Sequence, residues 1–573
     1  MSAMDRAEVE IQRNLRIQLP DGFSLNATAY LPKAECLRTA AILALTPYLA
    51  DHLHDRGVYF AARGFPFVAV DTIGRGDSDG EFRPWQRDAR DACEAIGWLA
   101  RQSWCDGKIG MYGGSYLGYV QWVAAKELAP HLETIVPTAS PYLGVDVPMR
   151  SNIFTAEEVR WQAIVAGRAS HMKLFSDGAF WTAKFRTWYE SGRRFRDVDV
   201  VAGVPSEPFQ EYLSHPEPDA YWDSFNPSPA QYAQMDIPIL TITGIYDGDQ
   251  LGSLEHYKQH LLHASSEARD RHCLVIGPWN HSGCAIPAAQ FDGITVGQAG
   301  VIDMLKLHVD WYRWILQSGP RPEFLRDKVT YYVTGAERWR YTSRLEDVTE
   351  RTDVLYLHSV DTATDMFTSG AMTAELSSDG RSDQYQYDPR DISGAKLESE
   401  LDLATWIVDQ RSVYQRAGKQ LIYHSLPFRE DTEVSGFFRF VAWISIDQPD
   451  TDFRVWIYEI AADGGSVHLA MDSMRARYRQ SLREAKLIRT TEPQCYNFER
   501  FTFTSRLIRK GNRLRLVIGP VDSIYEQKNY NSGGLVSEES IDDARPVTVR
   551  LFHGGPHPSA LYVPIGRTDP EER

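Results

Sequence analysis

The feature that most constrains the fold is the alternation in the first third of the chain. "AAILAL" (40–45) and "FPFVAVD" (65–71) are short, nearly continuous apolar runs, and "GKIGMYGG" (107–114) supplies a further short strand. Apolar runs of this kind suit strands buried on both faces of a sheet. Between them "HLHDRGVYFAARG" (52–64) reads as a helix ending at Gly64. "QRDARDACEAIGWLARQSW" (86–104) repeats Ala92, Ile96 and Leu99 at helical spacing. Strand and helix in alternation imply a mostly parallel, doubly wound sheet. Ahead of it, "LRIQLPDGFSLNATAYLP" places two alternating runs around Asp21-Gly22, a hairpin signal.

The rest of the chain divides by the same reading. Residues 1–144 form the first part of an α/β domain. From 145 to 236 the period changes: "AEEVRWQAIVAGRASHMKLF" and "AFWTAKFRTWYESGRRF" read as helices, followed by a Pro- and aromatic-rich stretch, as in a helical cap insertion. The sheet resumes over 237–345 with "IPILTITG", "HCLVIGP" and the helix "GVIDMLKLHVDWYRWIL". Over 346–573 helical patterns fade and alternating strands take over, among them "DTDFRVWIYEI" and "NRLRLVIG". In the latter Leu514, Leu516 and Ile518 face one way and Arg513 and Arg515 the other. An all-β sandwich, specifically a jelly roll, is expected there.

A chain of 573 residues exceeds what one core supports, so several domains are expected. The formal net charge of −16 argues against nucleic acid or an anionic membrane as partner. The six cysteines show no CxxC pair, which suggests neither a zinc nor a redox site. His52 and His54 lack a third ligand, so no metal is assigned. "MSAMDRAEVEIQRNLRIQLPDG" lacks an apolar signal region and no run suits a membrane span, so a cytoplasmic location is expected.

Chemistry concentrates in Gly113-Gly114-Ser115-Tyr116-Leu117-Gly118. A serine hydroxyl attacks only if a base removes its proton and if it stands clear of its own sheet. A sharp strand-to-helix turn presents it, and glycines relieve the clashes such a turn creates. The helix beginning at Tyr116 then aims free N–H groups at a developing oxyanion. The motif departs from G-x-S-x-G, because its last glycine comes one residue late. An ordinary glycine-rich turn is the plain alternative. Two partners weigh against it. Asp247 follows the strand "IPILTITG" and His281 follows "HCLVIGP", and functional groups gather at the carboxyl ends of such strands. The chain order Ser, Asp, His is that of an α/β-hydrolase triad.

These residues resemble the CocE/NonD hydrolases, the group of cocaine esterase, the α-amino-acid ester hydrolases and the X-prolyl dipeptidyl peptidases. "GGSYLG" (113–118), "YDG" (246–248), "GPWNHS" (277–282) and "RGDSDGEF" (75–82) carry the resemblance. "DTDF" (450–453), "RARYRQSL" (475–482) and "NYNSGG" (529–534) extend it towards the C-terminus. The resemblance implies Ser115 as nucleophile, His281 as base, Asp247 as its orienter, and an oxyanion hole of the Tyr116 N–H and the Tyr48 hydroxyl. Tyr48 also lies where such folds place the second donor, after the strand "AAILAL".

The expected activity is therefore hydrolysis of an ester or amide through an acyl-enzyme, with no cofactor and a small-molecule substrate, in a chain that could form homo-oligomers. Peptide or β-lactam acyl chemistry, including acyl transfer, stays open. So does a carbohydrate-binding protein with a vestigial triad. Asp249, two residues beyond Asp247, resembles the acidic residues with which α-amino-acid ester hydrolases hold a substrate ammonium; capping the next helix is the plain alternative. Gln250 stands where a further carboxylate would be expected. Arg75-Gly76-Asp77 reads as a tight loop rather than an adhesion motif. A histidine base leads one to expect kcat/KM to rise with pH near neutrality.

Overall fold

The computed structural model describes residues 8–33, 38–376, 378, 380–401 and 403–567. Residues 1–7, part of the N-terminal stretch read for a signal, lie outside them, as do Cys36 and residues 568–573. Ten strands form the first sheet: β1 (Val9–Gln18), β2 (Ser24–Pro32), β3 (Thr39–Thr46), β4 (Phe67–Asp71), β5 (Cys105–Gly114), β6 (Leu132–Thr138), β7 (Ile239–Tyr246), β8 (His272–Asn280), β9 (Val329–Val333) and β10 (Arg338–Thr342). Their order is β1-β2-β4-β3-β5-β6-β7-β8-β9-β10. Pairing is parallel from β4 to β9 and antiparallel at the two margins. β3 and β4 are buried along nearly their whole length, as their unbroken apolar runs require. The β1–β2 hairpin turns at Gly22, whose φ of 89° a side chain rarely tolerates.

Helices α1 (His54–Ala61), α2 (Asp88–Ala100) and α3 (Tyr116–Lys126) follow β3, β4 and β5. α2 buries Ala92, Ile96 and Leu99, the spacing read from sequence. α3 is different: ten of its eleven residues are buried, from Tyr116 to Ala125, so it runs through the core rather than over it.

The insertion between β6 and β7 is helical, and "AFWTAKFRTWYESGRRF" forms one helix over Gly178–Ser191, but the stretch before it does not. "AEEVRWQAIVAGRASHMKLF" breaks into α4 (Glu157–Ile164) and a single turn at Met172–Phe175. The cause is Arg75. Its guanidinium is fully buried and bonds the carbonyls of Ile164 (3.3 Å), Val165 (2.8 Å) and Ala169 (2.8 Å), and that of Gly167. Those carbonyls leave the helical ladder to reach it, and Gly167 at φ 65° makes the bend. Arg75 also bonds Pro47 O at 2.7 Å. The "RGD" loop is therefore an internal clamp between the β3 loop and the cap.

From Thr349 to Gly566 thirteen strands form one hydrogen-bonded, largely antiparallel all-β sheet with its own apolar core. Leu514, Leu516 and Ile518 face that core as the alternation requires. Arg513 is exposed, but Arg515 is not: it is buried, bonding His424 Nε2 (2.9 Å) and Gln410 Oε1 (2.8 Å). His424 stands opposite Arg515 on the neighbouring strand (Leu421–Ser425) and Gln410 on a loop, and the alternation within one strand carries no sign of either acceptor. Among the described residues no helix is long and apolar enough to cross a membrane.

Candidate active site

β3, β5, β7 and β8 are parallel, so their carboxyl ends open on one edge of the sheet. Each ends beside a residue singled out from sequence: Tyr48, Ser115, Asp247 and His281. Ser115 joins β5 to α3 with φ 58° and ψ −126°, a backbone state that a non-glycine residue holds only when its surroundings impose it. Ser115 N donates to Thr138 O at 2.9 Å, and Ser115 O accepts from Gly118 N at 2.8 Å. The late glycine of the motif has a packing reason. A Cβ at Gly118 would stand 2.9 Å from Thr138 O and 3.0 Å from Ser140 Cβ, so only glycine lets α3 lie this close to the end of β6. Gly113, at φ 139°, gives its side-chain space to Leu117.

His281 Nδ1 lies 2.8 Å from Asp247 Oδ1. The Asp247 side chain is fully buried and accepts further bonds from Thr243 Oγ1 (2.8 Å) and the Asp249 N–H (3.0 Å). Burial favours the neutral acid, but His281 and these donors hold Asp247 below the usual carboxylate range. Burial likewise opposes the imidazolium of His281. The carboxylates of Asp249 and Asp247 outweigh it and push the His281 pKa up to about 9. The expectation of an ionisation near neutrality takes no account of these two carboxylates, which act to raise it. Asp249 Oδ2, 3.7 Å from His281 Nδ1, is a second anion beside one imidazole.

Ser115, Tyr48, Tyr116, Asp249 and His281 line one cavity of about 660 Å³. Tyr48 is placed by the Tyr48 N–H bond to Thr46 Oγ1 (3.0 Å) and by the Arg75 clamp on Pro47. Its hydroxyl accepts a hydrogen bond from Trp161 Nε1 at 2.9 Å. An indole N–H only donates, so the phenolic hydrogen stays available for another acceptor. Burial pushes the Tyr48 phenol up to about 12, against the pull of hydrogen bonds from Trp161 and Ser115, so it remains a donor at neutral pH. Tyr116 contributes its backbone at the first turn of α3, where N–H groups have no intrahelical acceptor. Its side chain is anchored away, donating to Asp88 Oδ2 at 2.6 Å and stacking on Trp85 with centroids 4.2 Å apart.

Asp249 begins helix α5 (Gln250–His263), but its side chain makes no capping bond. It faces the cavity instead, and burial pushes its pKa up to about 6, with His281 pulling against. Asp146 and Glu158 line the same cavity; burial raises them to about 8 and about 7. Gln250 has another task. Fully buried, it donates to Gly244 O (3.0 Å), Ile245 O (3.0 Å) and Phe503 O (3.1 Å), and accepts from Phe503 N (2.6 Å). It ties the α/β domain to the all-β domain, and a carboxylate could not donate those three bonds.

Sequence reasoning missed the wall that the cap and the all-β domain contribute: Trp161, Arg150 and Asp146 from one, Met471 and Glu526 from the other. These residues are scattered over 380 positions, and no local spacing marks them. The only available signal was the abundance of tryptophan, which is equally a core signal.

Two family models match the chain: X-Pro dipeptidyl-peptidase (S15 family) over residues 21–283, and the X-Pro dipeptidyl-peptidase C-terminal non-catalytic domain over 325–559. A cocaine esterase of Rhodococcus sp. (strain MB1 Bresler) is 24% identical, with 97% of this chain and 98% of that one covered. Together these matches make the chain similar, over most of its length, to the CocE/NonD group of serine hydrolases. Among solved structures, an aminopeptidase from a marine sediment Thaumarchaeota archaeon superposes with TM-score 0.83 at 22% identity, covering 99% of this chain and 98% of that one. An α-amino acid ester hydrolase superposes with TM-score 0.82 at 20% identity, covering 99% and 98%. The chain thus shares their fold, an α/β domain followed by an all-β domain. It is a hydrolase of the serine esterase or peptidase kind.

Proposed function

We propose that the chain cleaves carboxylic esters through an acyl-enzyme on Ser115, with a preference for acyl groups bearing a free amine. One observation carries the reading: Ser115, strained at φ 58°, opens on the cavity that holds His281, whose Nδ1 is bonded to the buried Asp247. As Oγ attacks the carbonyl, His281 Nε2 takes its proton. Tyr48 OH and Tyr116 N–H receive the oxyanion. The proton passes to the leaving alcohol as the ester bond breaks. Water then attacks the acyl-enzyme with His281 again as base, releasing the acid. No step calls for a cofactor.

The amine preference rests on the uncapped Asp249 and on the excess of carboxylates around it. A buried carboxylate needs a cation to offset its desolvation. The two solved structures of highest overlap reported above are named for substrates with a free α-amine, which supports the same reading. Amide cleavage is the second reading, favoured by the peptidase family models. Matched alanine esters and alanyl amides separate the two by their kcat/KM. The direct test of the nucleophile is a fluorophosphonate label. It should modify wild type and not Ser115→Ala, which should fold normally and lose several orders of magnitude in kcat. Near-normal turnover by Ser115→Ala sinks the assignment.

A further inference from the structure

A second cavity, of about 290 Å³, lies in the all-β domain behind the first. Met471 lines both. An ion pair also links the two linings: Glu526 lines the larger cavity and Arg454 the smaller, and the two are bonded to each other. Methionine has three rotatable bonds and no branch, so this wall yields more readily than a packed aromatic one.

The walls of the small cavity are aromatic and incompletely satisfied. Trp406, Trp456 and Tyr458 line it. The Trp406 ring lies 5.5 Å from that of His468, and the Arg454 guanidinium 5.8 Å from that of Trp456. Two nitrogens on its lining residues are buried with no partner among the described residues: Arg416 Nε and His468 Nε2. Arg416 is 8% exposed and His468 7%. Arg416 spends its Nη2 on Asp522 O at 3.0 Å, which leaves Nε–H a donor without an acceptor. Burial, then the charge of Arg454, lowers the His468 pKa to about 4, so its ring is neutral. Buried polar atoms in native proteins are nearly all bonded, so a pair of orphans on one cavity marks a place for a polar group. An aromatic lining with a few polar atoms is also how small-molecule sites are built.

We infer that the small cavity is a distal substrate subsite that takes an aromatic ring carrying a hydrogen-bonding oxygen, reached from Ser115 past Met471. The inference rests on the reading of the large cavity as the substrate site. A ring between Trp406 and Trp456 buries its faces, and a phenolic hydroxyl there both accepts from Arg416 and meets His468.

Two series of methyl-capped probes test it. One places a 4-hydroxyphenyl group at the end of an alkyl chain of two to eight methylenes on the acyl side; the other places it on the alcohol side. Once the chain spans the first cavity, kcat/KM in at least one series should exceed that of the unsubstituted alkyl ester at least tenfold. Trp456→Leu and Trp406→Leu line only the small cavity. Each should erase that gain while leaving the short ester within about twofold. A gain in neither series, or one that survives both substitutions, overturns the inference and leaves water as the occupant. A binding arm keeps it separate from the catalytic reading. Ser115→Ala protein should bind 4-(4-hydroxyphenyl)butan-1-ol, read by calorimetry, and lose at least fivefold in affinity with Trp456→Leu added. Equal affinity with and without Trp456 overturns the subsite, whatever Ser115 does.

Discussion

Two regions of this molecule bury carboxylates in opposite ways. In the all-β domain, Arg475 grips Asp452 with both prongs (2.8 and 3.0 Å), and both side chains are 2% exposed. Arg477 bonds Asp450 at 2.8 Å, and Asn529 Nδ2 bridges Asp450 and Asp452 at 2.8 Å each. Arg475 also reaches Asn152 O at 3.0 Å, so the network pins the cap to the all-β domain. At the catalytic cavity, among the described residues, no arginine bonds Asp249 or Glu158; Arg150 lines the same cavity and acts on Asp249 only through its charge. Glu158 accepts from Gln162 Nε2 at 2.9 Å, and Asp249 stands beside His281. Matched charges hold domains together at a desolvation cost met by their partners. A raised pKa alone does not separate the two regions, since burial raises Asp450 as well; what separates them is that the cavity carboxylates lack a bonded cation and stand ready for one from outside.

The comparison breaks most visibly at the matched network. Arg475→Met leaves Asp452 buried without its cation and should remove about 3–5 kcal/mol of stability. Urea unfolding at pH 7 measures it, and Arg475→Met with Asp452→Leu should recover much of the loss. Asp249→Asn should behave oppositely. With its folded pKa raised to about 6, Asp249 binds its proton more tightly folded than unfolded. Its contribution to stability is therefore full below the unfolded value of about 4 and is lost as pH rises through about 6. The Asn variant lacks that decline and should be at least as stable as wild type at pH 8.

Next in size is the oxyanion donor. Tyr48→Phe removes one hydroxyl and should lower kcat by roughly 10²–10³ with little change in KM. A loss confined to KM would make Tyr48 a binding group instead.

The unmatched carboxylate gives a smaller, selective effect. Asp249→Asn should weaken cleavage of α-amino-acid esters relative to neutral esters of the same shape by about 1.5–3 kcal/mol, the range of a charge-assisted hydrogen bond. It should also change the pH profile. kcat/KM requires neutral His281, so in wild type it rises with pH through an ionisation near 9. Removing the Asp249 anion lowers that pKa, so neutral esters should react faster at pH 7 and unchanged on the alkaline plateau. A parallel loss for both ester types at all pH would leave Asp249 structural.

The smallest effect is Trp161→Phe, which deletes the bond that orients Tyr48. A neutral hydrogen bond predicts a loss of about 3- to 10-fold in kcat. In a Tyr48→Phe background the same change should cost almost nothing, since the two act as one unit.

The C-terminal sequence pieces show how far a sequence carries. "DTDF", "RARYRQSL" and "NYNSGG" marked the family without a role. Their Asp450, Asp452, Arg475, Arg477 and Asn529 turn out to be the matched network, which spans 80 residues of chain and has no period to reveal it. "AEEVRWQAIVAGRASHMKLF" failed as a single helix for a similar reason. The guanidinium that breaks it belongs to Arg75, 90 residues upstream, and helix periodicity reports only neighbours within a turn or two.

By itself the sequence determined the alternation that builds a parallel sheet, the turn at Ser115 and the strand ends that carry Asp247 and His281. Each is local: a period, a glycine where a turn excludes side chains, a residue just past a strand. The tertiary structure alone decided which side chains close the cavity, that Gln250 ties two domains, and that Asp249 faces His281 rather than capping its helix. These depend on pairs of residues from different domains meeting in a low-dielectric space. There the energy of a charge is set by what lies across from it and not by its neighbours in the chain.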